Sequence, residues 1–425
     1  MNIGIIGAGF TGLSAAYYLQ KKGHAVTIFE RDSQVGGLAI GYQKNHWKWS
    51  LEHHYHHWFT NDSHVLHLAK EIDHPVIITR PKTSVYVHDS LVQLDSPQQL
   101  FRFPFLSPVE KIRMAATLGL LRYNPIWQPF ESILAAPFLQ KAMGKKGYEL
   151  IWKPQLTNKF GQYVDEMSLA WFWARIKKRT SNLAYPEGGF LHFANHLAEN
   201  IKDQGGEIFL NHEITSLTDS HQVTLKTTSK NGSKTHTFDA VIVTLPTPLF
   251  LKIAPSLPKS YKNSIADLKG IGASNIVLRL KKPFFQDNTY WLSICDPKAP
   301  VMAIVEHTNF MSKKNYGHEH LVYLGNYLAP TDPNFSKTKE ELLKMYDPYL
   351  EKINPHYKKD LIGYELFKAP FAQPIVTTHY SKKIPPIITP FKHTFLANIQ
   401  QVYPWDRGTN YAVELGKKAI EYITK

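Results

Sequence analysis

The residues that most constrain the fold of this chain are the first thirty. Residues 2–6 form a short apolar segment typical of a buried strand, and it leads directly into the turn Gly7-Ala8-Gly9-Phe10-Thr11-Gly12. Helix-forming residues follow, and a second apolar segment over 25–29 ends at Glu30. A strand, a glycine-rich turn, a helix, a strand and an acid in this order make up the full context of a dinucleotide-binding fingerprint. The sequence therefore predicts a Rossmann-type α/β domain.

The residue types in this turn have physical reasons. Gly7 permits a tight turn, Gly9 lets backbone amides approach a pyrophosphate, and Gly12 lets the helix pack close to the strand. The helix N-terminus adds partial positive charge for the phosphates. Glu30 is expected to accept hydrogen bonds from the adenosine ribose hydroxyls. The predicted cofactor site at this end of the sheet is Gly7, Ala8, Gly9, Phe10, Thr11, Gly12, Glu30 and Arg31.

A second glycine pair, Gly36-Gly37, follows Glu30 closely. Here the chain resembles the flavin amine oxidase superfamily, which includes protoporphyrinogen oxidase, phytoene desaturase and UDP-galactopyranose mutase. In that family the pair brings backbone against the FAD pyrophosphate and the flavin, so the resemblance implies non-covalently bound FAD. Many members place an arginine after the pair, whereas this chain has Leu38-Ala39. Leu38 is kept in the implied FAD site, and the departure concerns one charged contact.

The resemblance continues to the end of the sequence. Segments 185–206, 207–217, 239–246 and 367–374 resemble the family's later passages through the FAD domain, and a hairpin turn is marked by Asn231-Gly232. Segment 403–413 resembles the closing motif, where a helix N-terminus faces the flavin. Thr409 or Asn410 is the expected N-cap, and Gly408 is expected to hold a special backbone angle or a close approach. The implied FAD contacts in these segments are Ile214, Thr244, Asp406, Arg407, Gly408, Asn410 and Tyr411.

The predicted fold class is α/β, with a Rossmann-type, GR2-like FAD-binding domain interleaved with a mixed α+β substrate domain. We expect the FAD-binding domain to comprise 1–85, 183–259 and 388–425, and the substrate domain to comprise a helical part, 86–182, and a sheet part, 260–387. Ser107-Pro108-Val109-Glu110 is a capping box that opens a helix. The aromatic residues around that helix suit a domain core, or a hydrophobic substrate entrance lying on a membrane.

The net charge of +14, with a pI near 9.4, favours anionic partners. The substrate is expected to be a small molecule, anionic or lipid-like; peripheral contact with anionic lipid is a second interpretation. No nucleic-acid signature accompanies the charge, so no nucleic-acid partner is predicted. One cysteine, Cys295, excludes a disulfide framework. The immediate entry into a strand leaves no room for a signal peptide, so the predicted location is cytoplasmic, with contact to the inner face of the membrane left open.

Histidines crowd the segment 52–59, Glu-His-His-Tyr-His-His-Trp-Phe. Treated as a strand, it would point His53 and His57 to one side and His54 and His56 to the other. A metal site would need ligands from elsewhere, and no metal is predicted. In the mutase relatives a histidine-bearing segment at this place faces the flavin, so we expect His54 or His57 near the isoalloxazine, with a purely structural role as the alternative. Asn309 and Gln373 are further candidate catalytic residues.

The leading functional hypothesis is an FAD-dependent oxidoreductase of the oxidase, desaturase or dehydrogenase type. It would pass a hydride from a hydrophobic or anionic substrate to flavin N5. Gly270-Ile271-Gly272 lacks the rest of a nucleotide fingerprint, so oxygen, a quinone or a carrier protein is the expected electron acceptor. The alternative is a non-redox flavoenzyme of the UDP-galactopyranose mutase type acting on a nucleotide sugar.

Overall fold

A computed structural model describes residues 1–423. Its first sheet has five parallel strands in the order β10-β2-β1-β14-β20. Val-, Ile- and Phe-rich segments form them because both faces of a parallel sheet are covered by other elements. These strands are β1 (Asn2–Ile6), β2 (Ala25–Phe29), β10 (Glu207–Phe209), β14 (Ala240–Val243) and β20 (Thr394–Leu396). The predicted α/β class and the N-terminal strand-turn-helix-strand order are confirmed.

A seven-stranded, mostly antiparallel sheet has the order β19-β15-β18-β17-β16-β7-β8. Two of its strands come from early in the chain and five from late, so the sheet joins distant segments. The strands are β7 (Lys82–Val87), β8 (Ser90–Gln93), β15 (Gly270–Leu280), β16 (Thr289–Ile294), β17 (Ala303–Glu306), β18 (His320–Leu328) and β19 (Leu361–Pro374). The first predicted insertion, 86–182, thus contributes β8 and the end of β7 as well as helices. The division into domains stays a prediction.

Three smaller sheets complete the strands. The hairpin expected at Asn231-Gly232 is confirmed, since Ser229 pairs with Gly232. The strands are β3 (Gly41–Tyr42), β4 (Leu51–Glu52), β5 (Trp58–Phe59), β6 (Val76–Thr79), β9 (Leu183–Pro186), β11 (Glu213–Asp219), β12 (Val223–Ser229) and β13 (Gly232–Phe238).

The helices of the nucleotide-binding side pack on the parallel sheet, and those between 97 and 178 form a separate apolar core with Phe103 and Leu121 at its centre. Among the described residues no helix is long and apolar enough to cross a bilayer. The helices are α1 (Phe10–Gln20), α2 (Ser63–Glu71), α3 (Pro97–Arg102), α4 (Pro108–Tyr123), α5 (Ala135–Met143), α6 (Lys145–Gly147), α7 (Lys153–Phe160), α8 (Leu169–Lys178), α9 (Phe190–Asp203), α10 (Thr247–Ile253), α11 (Lys259–Ala266), α12 (Pro333–Ser336), α13 (Lys339–Ile353), α14 (Tyr357–Asp360) and α15 (Thr409–Ile423).

The capping box that opens α4 is confirmed. Glu110 donates its backbone N–H to Ser107 Oγ at 3.3 Å, and Ser107 donates its own N–H to Glu110 Oε2 at 2.7 Å. The two bonds satisfy amides that the first helical turn leaves without partners.

The histidine segment is not a strand, so that expectation was wrong. The chain leaves β4 at Glu52 and enters β5 at Trp58, and the residues between form a loop. His56 Nδ1 lies 2.6 Å from the carbonyl oxygen of His54, a contact across two residues that an extended strand cannot make. The side chains therefore do not alternate between two faces, and tertiary partners decide where each histidine points.

Candidate active site

The glycine turn is as tight as its sequence predicts. Gly7 has a φ of +103°, in the region that favours glycine. A Cβ on Gly12 would lie 2.0 Å from the carbonyl oxygen of Gly7, so only glycine lets α1 start this close to β1. Gly9 caps the helix, and its carbonyl accepts the Leu13 N–H at 2.9 Å. Backbone amides at the first turn of α1 thus face the end of the sheet, ready for an anion.

The second glycine pair meets the first turn backbone to backbone. Gly36 and Gly37 both have positive φ, +119° and +60°, and Gly36 donates its N–H to the Ala8 carbonyl at 2.9 Å. A Cβ on Gly37 would lie only 2.9 Å from Gly9 Cα. Side chains would fill this cradle, whereas bare backbone leaves amides for a pyrophosphate. The residues present therefore fit FAD. Leu38 stands partly exposed beside the cradle.

Glu30 holds the glycine turn from the end of β2. Its Oε2 accepts the Ala8 N–H at 2.8 Å and its Oε1 accepts the Asp32 N–H at 3.0 Å. Burial raises the pKa of Glu30, and these two backbone bonds oppose that shift. The carboxylate is therefore fixed in the place that the fingerprint assigns to the ribose partner. Arg31 points to solvent, with its Nε 3.9 Å from Asp32 Oδ1.

Two further predicted cofactor residues lie on the strands around this turn. Thr244, at the end of β14, donates its hydroxyl to the Ile6 carbonyl at 2.8 Å. A Cβ on Gly7 would lie 2.5 Å from Thr244 Oγ1, so the two residues are packed against each other. Ile214 is buried at the start of β11, in the core beneath the three-stranded sheet.

The closing motif begins a helix as expected, but its cap differs. Helix α15 starts at Thr409, so neither Thr409 nor Asn410 is the N-cap, and the Gly408 carbonyl accepts the Tyr411 and Ala412 amides. Asn410 Oδ1 instead accepts the His64 N–H at 2.9 Å and the Val65 N–H at 3.2 Å, which caps α2. Thr409 Oγ1 accepts the Trp58 indole N–H at 2.6 Å. The side chains of Thr409 and Asn410 thus bond to β5 and α2 and not to α15. The sequence around them does not reveal these distant partners.

The structure answers one half of the expectation for Gly408. Its φ is not in the left-handed region, so the special backbone angle was wrong. No atom of the described residues lies within 4 Å of where a Cβ would stand, so a close approach to the flavin stays a prediction. The Gly408 carbonyl accepts the first bonds of α15.

A cavity of about 180 Å³ opens beside the start of α15. It brings together side chains from α8, from the histidine loop, from β16 and from the closing motif. Six predicted site residues line it: His57, Asp406, Arg407, Gly408, Asn410 and Tyr411. The lining also includes Arg175, Lys178, Tyr290 and Trp291. The cavity is thus walled by aromatic rings and cations.

The histidine loop reaches the substrate sheet through specific contacts. His57 Nδ1 lies 3.1 Å from the Tyr290 hydroxyl, and His54 Nδ1 is hydrogen-bonded to the Asn275 amide. His53 stacks on Phe367, with ring centroids 3.9 Å apart. Burial lowers the pKa of both His54 and His57 to about 3. Both rings are therefore neutral at pH 7 and can donate or accept a hydrogen bond.

The other two candidate catalytic residues have different surroundings. Gln373 lies at the site: its Oε1 accepts the Arg407 Nε–H at 3.1 Å, and its Nε2 donates to Asp406 Oδ1 at 3.3 Å. Asn309 does not line the cavity, and its amide donates to the Thr289 carbonyl at 2.9 Å. Asn309 therefore secures the end of β16.

Sequence reasoning missed two side chains at this site: Lys159 and Arg175. Lys159 Nζ lies 3.7 Å and Arg175 Nη1 3.9 Å from Asp406 Oδ2, and Tyr327 is hydrogen-bonded to Arg407. Lys159 is nearly buried at 8% exposure, which is uncommon for lysine. The helical spacing of Lys159 and Arg175 resembles that of any surface helix, so the sequence carried no signal for them.

Across most of the chain, residues 10–399 match the protein family described as flavin containing amine oxidoreductase. The chain belongs to this family. A 15-cis-phytoene desaturase of Glycine max is 22% identical over 405 residues, covering 87% of this chain and 70% of that protein. The structure of cyclohexylamine oxidase from Brevibacterium oxydans IH-35A has a TM-score of 0.76 at 14% identity, covering 99% of this chain and 98% of that one.

The matches to the first curated relatives are short. A 4,4'-diapophytoene desaturase of Staphylococcus haemolyticus is 53% identical over 45 residues, which is 11% of this chain and 9% of that protein. The chain therefore spans far less than two thirds of that relative. No group of three or more histidine, cysteine, aspartate or glutamate side chains within residues 1–423 is placed to hold a metal ion.

Replacing Glu30 by alanine should weaken FAD binding in this flavoenzyme by about 1–3 kcal/mol, because the Ala8 amide and the ribose hydroxyls would lose their acceptor. Glu30→Gln keeps one acceptor oxygen and should lose less. The dissociation constant of FAD, from titration of the apoprotein, measures both. Equal affinity in Glu30→Ala and the unmodified protein would reject the ribose role.

Acid should destabilise the fold from about pH 6.5 downward. Burial lowers the pKa of His53 and His56 to about 4 and that of His54 and His57 to about 3, so the unfolded chain binds protons that the folded loop does not. The free energy of unfolding that these four histidines contribute is therefore fully present above the ordinary histidine pKa, and it is lost as the pH drops towards 4. Glu52, whose pKa burial raises to about 7, acts in the opposite direction but is a single group.

The melting temperature between pH 7.5 and pH 5 measures this acid effect. His57→Gln should make the fall shallower, because it removes one of the four buried rings whose pKa is lowered. A melting temperature that rises on acidification would contradict the assignment.

Proposed function

We propose that this protein holds FAD non-covalently and oxidises a small organic substrate, hydrophobic or anionic, bound in the cavity beside α15. When bound, the flavin supplies the two-electron acceptor, at N5, for a hydride from the substrate. The observation that carries the proposal is the glycine cradle, whose bare backbone leaves amides for a pyrophosphate. The cavity beside α15, walled by aromatic rings and cations, is the proposed place for the substrate. The start of α15 adds partial positive charge, which favours electron-rich groups nearby.

Support for a non-covalent cofactor comes from the surroundings of Cys295. Its thiol is buried against the Ile151 carbonyl and Gln155, and burial raises its pKa to about 12. A protonated, enclosed thiol is a poor nucleophile, so it does not suit a cysteinyl flavin link. Heat or acid should therefore release intact FAD from the purified protein.

The residues of the cavity have complementary tasks. Tyr290 and Trp291 provide an apolar wall that excludes water from the substrate. His57, held at Nδ1 by the Tyr290 hydroxyl, leaves its other ring nitrogen for a ligand. We propose that neutral His57 orients the substrate by a hydrogen bond, and that His54 positions the loop through Asn275. Gln373 fixes the direction of Arg407.

An anaerobic spectrum tests the proposed function. Amines, polyenes, porphyrinogens and nucleotide sugars are added in turn to the FAD-loaded protein, and the absorbance of oxidised flavin is followed. Bleaching by one of the first three classes supports oxidation. Turnover of a nucleotide sugar that appears only after dithionite reduction would instead establish the mutase alternative and overturn the proposal.

We further propose that α4 rests on an anionic lipid surface. Its side chains Val109, Ile112, Ala116, Leu120 and Tyr123 are all exposed and, at 100° per residue, lie within about 80° of one another. The opposite face, with Met114 and Leu121, is buried in the core. Helix α4 therefore has two apolar faces, and the fold buries only one of them. Arg113, which borders the exposed stripe at the same 100° per residue, suits anionic headgroups.

Replacing Ile112 and Leu120 together by serine should abolish most vesicle binding. Burying one such side chain in the interface contributes about 1.5–3 kcal/mol, so the double change should weaken partitioning more than tenfold. Co-sedimentation with vesicles of phosphatidylglycerol and phosphatidylcholine measures it. Ile78→Ser is the matched control, because Ile78 is 57% exposed but lies on β6. Equal binding by Ile78→Ser and the double variant, or none by the unmodified protein, would reject the proposal.

A further inference from the structure

Lys159 and Arg175 lie beside a single carboxylate, that of Asp406, which lines the cavity, and Arg407 follows Asp406 directly in the chain. Asp406 Oδ2 lies 3.7 Å from Lys159 Nζ and 3.9 Å from Arg175 Nη1. Asp406 Oδ1 accepts the backbone N–H of Arg407 at 3.0 Å, while the Arg407 guanidinium donates to Gln373 and Tyr327. Within the described residues the guanidinium thus bonds neutral partners, and one negative charge faces three positive ones.

The other charges around the cavity do not restore the balance. Lys178 and Arg179 also line it, and the remaining acids are Asp62 and Asp95. Asp62 Oδ2 accepts the Phe59 N–H at 2.8 Å, and burial raises the pKa of Asp62 to about 6. Asp95 Oδ2 accepts from Gln93 at 2.9 Å. Positive charge therefore remains in excess in a place with little water.

Lys159 experiences this excess most strongly. Its ammonium lies 5.0 Å from the centre of the Trp171 ring and 5.1 Å from that of Tyr327, so rings replace much of its water shell. Burial, reinforced by Arg175 and Arg407, lowers the pKa of Lys159 to about 7, although Asp406 opposes the shift. Placing like charges together without counter-ions is costly, and a bound anion would remove the cost.

We infer that Lys159, Arg175 and Arg407 form an anion-binding site that takes a carboxylate or phosphate group of the substrate. The FAD pyrophosphate has a separate candidate place in the glycine cradle, so these cations are not needed for it. Two guanidinium groups suit the planar oxygens of a carboxylate, and Lys159 adds a point charge between aromatic rings. The site's role in substrate selection rests on the proposed oxidation, whereas its affinity for an anion does not.

Isothermal titration calorimetry of the FAD-loaded protein tests the inference, with succinate and inorganic phosphate as probes and succinamide as the uncharged counterpart. Ionic strength is held constant, since salt screens such contacts. We expect saturable binding of at least one anion and none of succinamide. The tighter of the two anions identifies the group that the site prefers. Heat on mixing is independent of flavin reduction, so the result stands apart from the bleaching experiment.

Variants locate the binding. Lys159→Met and Arg175→Met should each weaken the anion's binding at least about tenfold, because each removes a charge-assisted contact. Lys177→Met is the matched control for Arg175→Met, because Lys177 carries the same charge two residues further along α8. Lys177 contacts the Tyr123 carbonyl instead of Asp406, so its loss should leave the anion's affinity within about twofold. Lys159→Arg keeps the charge and should retain binding, which controls for a folding defect. Equal weakening by Lys177→Met and Lys159→Met, or no saturable binding by the unmodified protein, would overturn the inference.

Discussion

Replacing Gly12 by alanine should lower the affinity for FAD by about two orders of magnitude, because overpacking here costs up to about 3 kcal/mol. The added Cβ would stand 2.0 Å from the Gly7 carbonyl oxygen and 3.2 Å from Ile5 Cγ2. The oxygen belongs to the backbone, so α1 has to move away from β1. The amides at its first turn then leave the place where a pyrophosphate would meet them.

Gly119→Ala is the matched control for this change. Gly119 lies in the interior of α4, and no atom of the described chain is within 4 Å of a Cβ at that position. Alanine there should stabilise the helix slightly, by up to about 1 kcal/mol, and leave FAD binding unchanged. FAD titration of both apoproteins gives the answer. If the two variants bound FAD equally well, the close packing of α1 on β1 would not be what shapes the cofactor site.

Replacing Asp406 by asparagine should cost about 3–5 kcal/mol of unfolding free energy. Lys159 and Arg175 would lose the carboxylate that lies within 4 Å of both, and these two cations together with Arg407 hold the pKa of Asp406 down at about 2. In the unmodified protein Trp171 Nε1 donates to Asp406 Oδ1 at 3.1 Å, and asparagine can still accept this bond. The loss of unfolding free energy therefore measures the effect of the charge alone. Anions in the buffer should restore part of the stability, because they can occupy the same surroundings.

Glu166→Gln provides the contrast with Asp406→Asn. Glu166 pairs with Lys269 at 2.8 Å, and both side chains are more than 40% exposed. Such pairs contribute about 0–1 kcal/mol. The loss of unfolding free energy, measured by urea denaturation, should therefore be several-fold larger for Asp406→Asn than for Glu166→Gln. A loss below about 1 kcal/mol for Asp406→Asn would mean that solvent reaches this cluster and screens it.

Where the sequence predicted structure well, the determining interactions are local. The turn from Gly7 to Gly12 is fixed by glycine conformation, and Ser107 and Glu110 cap α4 from three residues apart. The histidine loop behaves differently, since its residues bond to Asn275 and Tyr290, more than two hundred positions away. An alternating pattern of side chains predicts a strand only when one face of that strand is uniformly buried. In this loop each histidine ring instead has its own distant partner.

The candidate site shows the same division. Glu30 and the glycine pair follow from a motif whose parts are close in sequence. Lys159 and Arg175 approach Asp406 from helices that lie far from it along the chain. Asn410 was expected as a possible N-cap of α15, and that expectation was wrong, because its side chain caps another helix. Such partners depend on how the elements pack, which no single stretch of sequence encodes.

The contacts of Asn410 and Thr409 bear on the order in which this protein matures during synthesis. Helix α2 and Trp58 emerge from the ribosome early, yet their hydrogen-bond partners are made some 350 residues later. Strand β20, an outer strand of the parallel sheet, is also translated late. At roughly 5–20 residues per second, the early half waits tens of seconds with these groups unsatisfied. Cofactor loading should therefore follow translation of residues 394–411, and chains released before that point should remain open to proteases.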